Sequence, residues 1–155
     1  MAIENWLLCN RLRAVAARVA AATDDAERDA AWAQAERDVE AAEAGEDADI
    51  ALPILERSLE ELQALLRGWD AGTAHLPEWD RAVLKRGLKA YRKRLRLMRL
   101  DDESSASRNP LSKGDESSIL GVRPPEQYPD EVWAMLIAQG KLRDAGDGLL
   151  ELATA

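Results

Sequence analysis
The chain has 155 residues, with 29 acidic and 21 basic side chains and a formal net charge of −8. A hydrophobic content of 46% can bury a core, and the size fits one domain with a small appendage. Charged residues at 32% and the lack of an 18-residue apolar run leave no candidate membrane span, and the acidic total argues against a uniformly basic nucleic-acid binder.

Residues 3–44 contain no Pro or Gly and are rich in Ala, the best helix former. Arg11, Arg13 and Arg18 among the alanines superficially suggest a targeting segment. Arg18 splits the apolar run, however, and no charged region followed by an apolar one can be drawn, so the segment reads as mature protein. Leu8, Leu12, Val15 and Val19 form one helical stripe, and Trp32, Ala35, Val39 and Ala42 form a second. Between them, Asp24 and Glu27 have capping-box spacing, which predicts a break near residue 23. Gly45 is the expected terminator of the second helix. The single cysteine, Cys9, lies on the first stripe and reads as a small buried hydrophobe; a lone thiol fits a reducing, cytoplasmic setting.

Asp49 is the expected cap of a third helix over about 50–68, with Pro53 in its first turn. Leu52, Leu55, Leu59, Leu62, Leu66 and Trp69 follow at heptad-like spacing and predict one continuous seam. Gly68 and Gly72 mark its exit, and the single histidine, His75, falls in the following turn as a solvated loop residue. Pro77, Glu78 and Asp80 open a fourth helix to about residue 100, with the seam Leu84, Leu88, Tyr91, Leu95 and Met98.

Residues 101–128 hold six of the seven serines and several Pro and Gly residues, which predicts a long irregular connection. Asp102-Glu103-Ser104-Ser105 recurs there as Asp115-Glu116-Ser117-Ser118; these side chains favour solvated turns, although an anion-binding loop or a carboxylate-rich cation site would use similar residues. Residues 130–139 read as a short helix with Val132, Trp133, Leu136 and Ile137 on its apolar side and Gly140 as terminator. Lys141–Arg143 and Leu149–Leu152 flank Asp144-Ala145-Gly146-Asp147-Gly148 and predict a β-hairpin; this turn lacks the ligand alternation of a calcium loop.

The expected fold is mainly α: an irregular four-helix bundle over 1–100 (helices about 3–22, 24–44, 50–68 and 77–100), the connection 101–128, and a short helix plus hairpin over 129–155 docked on the bundle. Trp133, Leu136, Gly140, Leu142, Asp147, Gly148, Leu150 and Leu152 resemble the last helix and wing of a winged helix-turn-helix domain. The acids at its start and the lack of Lys or Arg before Lys141 do not suit a base-reading helix. Residues 84–152, through Leu97–Ser104 and Arg123–Trp133, resemble uncharacterised small bacterial proteins, a likeness that implies no activity, ligand or catalytic residue.

The strongest chemical signal is residues 81–99, with nine basic residues and no acid. Arg81, Lys85, Lys89, Arg92, Arg96 and Arg99 are spaced 4, 4, 3, 4 and 3, so they form one stripe beside the apolar seam. Lys93 and Arg86 widen it. Such a face suits phosphates, since Arg offers a planar fork and each neutralised phosphate releases a counterion. The competing reading is internal: residues 24–63 carry 14 acids against three arginines and could neutralise the stripe. No phosphate-cradling Gly motif, zinc-ligand set or paired cysteines occur, so no cofactor, metal or small-molecule substrate is expected. The expectation is a non-enzymatic binding or adaptor protein. Its partner is nucleic acid, an acidic protein or an anionic lipid; the alternative is a protein-interaction module or homodimer using the Leu/Trp seams.

Overall fold
The computed structural model describes residues 6–107 and 121–153. The protein is mainly helical, with six helices among the described residues and a small antiparallel sheet near the C-terminus. It divides into two compact units, 1–83 and 84–155, and the boundary falls inside a helix. Residues 3–5 of the first expected helix lie outside the described residues.

In the first unit, α1 (Leu8–Ala21) packs on α2 (Asp25–Ala41) and on α4 (Leu59–Ala71), while α3 (Ala48–Leu55) packs on α2 and α4. Both N-terminal stripes are buried as their spacing demands, from Leu8 to Val19 and from Trp32 to Ala42. The break between α1 and α2 is a cap: the Glu27 N–H donates to Asp24 Oδ1 at 2.8 Å, and the Glu27 carboxylate accepts from the Thr23 N–H at 2.9 Å. α2 does not end on Gly45. Glu43 takes the left-handed position (φ 55°), and the Ala44 N–H returns to the Val39 carbonyl at 2.9 Å, so the helix terminates two residues earlier. The cap of α3 is Asp47 rather than Asp49, and Pro53 lies in its second turn.

The expected helix 50–68 is two helices. Arg57 adopts φ 51° and the Ser58 N–H donates to the Pro53 carbonyl at 2.9 Å, which closes α3. The same Ser58 offers its Oγ to the Glu61 N–H at 3.2 Å and opens α4. The break resets the helical phase. Ile50, Pro53 and Ile54 turn inward, Leu52 and Leu55 are exposed, and only Leu62, Leu66 and Trp69 of the expected seam are buried. Gly72 (φ 74°), not Gly68, ends α4.

α5 (Glu78–Ser107) overruns its expected end by about two turns, because Asp101–Ser107 continue the helix. Its first six residues belong to the first unit and the rest to the second. Asp80 is fully buried and accepts from the Leu8 N–H at 2.6 Å and the Cys9 N–H at 2.9 Å. It therefore caps α1, whose own N-cap, Leu7, has no side-chain acceptor.

In the second unit, the expected hairpin is present as β2 (Leu142–Gly146) and β3 (Leu149–Leu152), and β1 (Gly121–Val122) adds a third strand in the order β1-β3-β2. Asp147 and Gly148 both have positive φ, as a two-residue hairpin turn requires. Asp144 folds its carboxylate onto the Gly146 N–H at 2.8 Å, beside the irregular register between Asp144 and Gly146. α6 (Asp130–Ala138) ends at Gly140 in the left-handed conformation. It buries Trp133 against the rings of Tyr91 and Tyr128, with centroids 6.5 and 5.8 Å away. α6 and the sheet meet α5 along Gly87 and Tyr91: a Cβ on Gly87 would lie 3.0 Å from Val132 Cγ1, and the Tyr91 hydroxyl donates to the Leu150 carbonyl at 2.6 Å. Met98 leaves the buried seam, being 44% exposed beyond this packing.

Candidate polyanion-binding face
The chemistry of the basic face follows from the helix that carries it. Gly87, Leu88, Tyr91 and Leu95 face the interior, and the 3.6-residue repeat turns Lys85, Lys89, Arg92 and Arg96 outward. All four are exposed, as are Arg86 and Lys93 beside them. From Lys85 to Arg96 the rise is about 16 Å. Among the described residues of the second unit, none of these four enters an ion pair.

The two ends of the expected stripe behave differently. Arg81 belongs to the first unit, and its Nε donates to the Leu76 carbonyl at 3.1 Å, which folds it back over the loop preceding α5. Arg99 is half-buried, and its positive charge acts on the Tyr91 hydroxyl. Burial dominates at that hydroxyl and pushes its pKa above the ordinary tyrosine value; Arg99 pulls it down and Glu151 pushes it up. Glu151 is paired with Arg143 across β2 and β3. Arg81 is itself exposed but lies in the first unit, so the fully exposed stretch of the stripe within the second unit is its middle four residues. Sequence spacing could place all six on one line. It could not show that Arg81 turns onto the Leu76 carbonyl or that Arg99 is half-buried.

The remaining candidates resolve simply. Cys9 is fully buried on α1. His75 is exposed in the link before α5, and its carbonyl accepts from Trp69 Nε1 at 3.0 Å. Asp102-Glu103-Ser104-Ser105 lies on the helical backbone of α5, and its repeat at 115–118 lies outside the described residues. Among the described residues no group of three or more His, Cys, Asp or Glu side chains is arranged to hold a metal ion, and no helix is long and apolar enough to cross a membrane. α6 carries acids in its first turn and no Lys or Arg along its length.

Charge is divided unevenly. The first unit has 18 acidic and 8 basic residues, net −10; the second has 11 and 13, net +2. Two buried carboxylates, absent from the candidates above, are structural. Asp38 is held by Arg11 Nη1 and Gln34 Nε2, both at 2.9 Å, and Asp80 caps α1. Asp80 had one legible signal: it falls one helical step before Leu84 on the apolar seam, where a carboxylate must find donors. Comparison of the chain with protein-family models, with curated proteins and with solved structures returns no match.

Proposed function
We propose that this chain is a non-enzymatic binding or adaptor protein of the cytoplasm that engages a polyanion, nucleic acid foremost, through the exposed basic face of α5. The observation that carries this reading is the row Lys85, Lys89, Arg92 and Arg96, exposed along about 16 Å of helix and, among the described residues of its unit, in no ion pair. Arg86 and Lys93 extend the field around the helix. The contacts would be to phosphate oxygens, which give affinity without base readout. α6, with acids at its start, supplies no base-reading side chains.

The test is fluorescence anisotropy with duplex DNA and with single-stranded RNA over a salt series. Four phosphate contacts predict a log–log salt slope near −3.6 on duplex DNA, from about −0.9 per contact. Arg92→Glu/Arg96→Glu should abolish binding, and Arg92→Gln alone should make the slope shallower by about one unit. Loss of all retention on a polyanion column at low salt, or wild-type affinity in the double charge reversal, refutes the reading. Selective capture of an acidic protein by the same four residues would replace the nucleic acid with that partner class.

A further inference from the structure
We propose that the groove between α2 and α3 is a docking site for a second copy of this chain, whose Leu97–Leu100 turn of α5 is the occupant. The groove encloses about 690 Å³. Val39, Ile54 and Leu55 give it apolar walls, and Glu36, Glu40, Glu43 and Glu46 surround them. Glu36 and Glu40 come from one side of α2 by their spacing of 4, and Glu43 follows in the left-handed position just past its end. Among the described residues none of the four enters an ion pair. The occupant must therefore be both apolar and cationic.

The chain itself presents a surface of that chemistry. Leu97, Met98 and Leu100 are exposed on α5, with Lys93, Arg94 and Arg96 exposed among them. The exposed large hydrophobics of the described residues are five, and they fall in two places: Leu52 and Leu55 on α3, at and beside the acidic groove, and these three on the basic helix. Exposed apolar clusters of this kind mark association surfaces, and opposite charge around them fixes the register. Leu97 and Met98 centre roughly 160° around the helix from the Lys85–Arg96 row. Leu100 lies only about 50° from that row and Arg96 belongs to both surfaces, so the two overlap in part; docking requires no bound polyanion, and Leu97→Glu/Met98→Glu leaves all four side chains of the row in place. The contact joins two unlike surfaces, so reciprocal exchange closes a dimer and non-reciprocal exchange gives an open chain.

The test uses nuclease-treated full-length protein, with mass read by light scattering and sedimentation velocity across a concentration series. A groove variant, Glu36→Lys/Glu40→Lys, and a helix variant, Leu97→Glu/Met98→Glu, are measured singly and mixed. Wild type should reach at least twice the 17.1 kDa chain mass. Each variant alone should remain at the chain mass. The equimolar mixture should form a one-to-one complex, because the intact helix of the first meets the intact groove of the second. Leu55→Ser, at a residue 71% exposed, supplies a milder groove variant with unchanged circular dichroism and the same expected loss. Wild type that stays at the chain mass at every concentration overturns the proposal. So does a mixture that fails to associate, or variants that associate as wild type does. A monomeric wild type that binds an unrelated basic amphipathic peptide would place another protein in the groove and equally overturn the assignment to a second copy.

Discussion
Asp80→Ala tests the long-range cap on α1. The wild-type carboxylate accepts from two buried N–H groups, at 2.6 and 2.9 Å, across more than 70 residues of sequence. A hydrogen bond to a charged group contributes about 1.5–3 kcal/mol, and a buried donor left without an acceptor costs about 1–3 kcal/mol. These ranges describe the same loss from two sides and are not summed. For two donors the expected destabilisation is about 3–5 kcal/mol, a large share of the roughly 5–15 kcal/mol that holds a domain together. Asp80→Asn retains one acceptor and presents an amide donor to the second N–H, so it should lose about 2–3 kcal/mol. Urea unfolding followed by circular dichroism and tryptophan fluorescence measures both; Trp6, Trp32, Trp69 and Trp79 report on the first unit. Asp70→Ala is the control, since its carboxylate is exposed and pairs only at the surface with Arg13, and it should stay within about 0.5 kcal/mol. If Asp80→Ala also falls within about 0.5 kcal/mol of wild type, α1 does not depend on that carboxylate.

Other expectations concern both units. Burial raises the pKa of Tyr91, so the folded state keeps its proton at a pH where the unfolded chain has lost it. Its contribution is complete below about pH 10 and declines as pH rises through the folded value; Tyr91→Phe should flatten that alkaline limb while costing about 1 kcal/mol for the lost bond to Leu150. Chemical denaturation at pH steps above neutrality reads both effects. Gly87→Ala should destabilise the second unit by about 1 kcal/mol despite the better helix propensity, because its Cβ lands 3.0 Å from Val132; in a Val132→Ala background the same change should become stabilising. A double-mutant cycle in urea gives the sign. Gly72→Ala meets no neighbour within 4 Å, so its expected cost of about 1 kcal/mol is purely that of placing a side chain at φ 74°. Ser58→Ala should cost about 1 kcal/mol by removing the cap of α4.

Local rules were legible wherever one residue type had one use. The Asp24–Glu27 cap, the buried stripes of α1 and α2, Gly140 and the Asp147-Gly148 turn all follow from short-range chemistry. The α3–α4 break was obscured because leucines at 52, 55, 59 and 62 keep heptad spacing straight through it. The opposing signal was Ser58 three residues before Glu61, a start marker inside an apparently continuous helix. Glu43 and Arg57 in left-handed positions carry no residue-type signal, since Gly is the usual occupant. β1 is only two residues long, too short for any periodicity. For the basic face, spacing gave the line of charges. Spacing did not show that Arg81 turns onto the Leu76 carbonyl or that Arg99 is half-buried, and the exposure of Leu55 at the groove between α2 and α3 runs against the continuous seam that its spacing predicts.

The strand order β1-β3-β2 has a consequence for how the second unit assembles. The strand that comes latest in sequence is the middle strand in space. Until residues 149–152 are in place, β1 and β2 have no common neighbour and the Tyr91 hydroxyl has no Leu150 carbonyl to meet. Its contacts span up to 59 residues, so closing it means fixing a long loop before any reward is collected. The sheet should therefore form late and all at once, and a chain cut before Leu149 should lose β1 and β2 as well as β3.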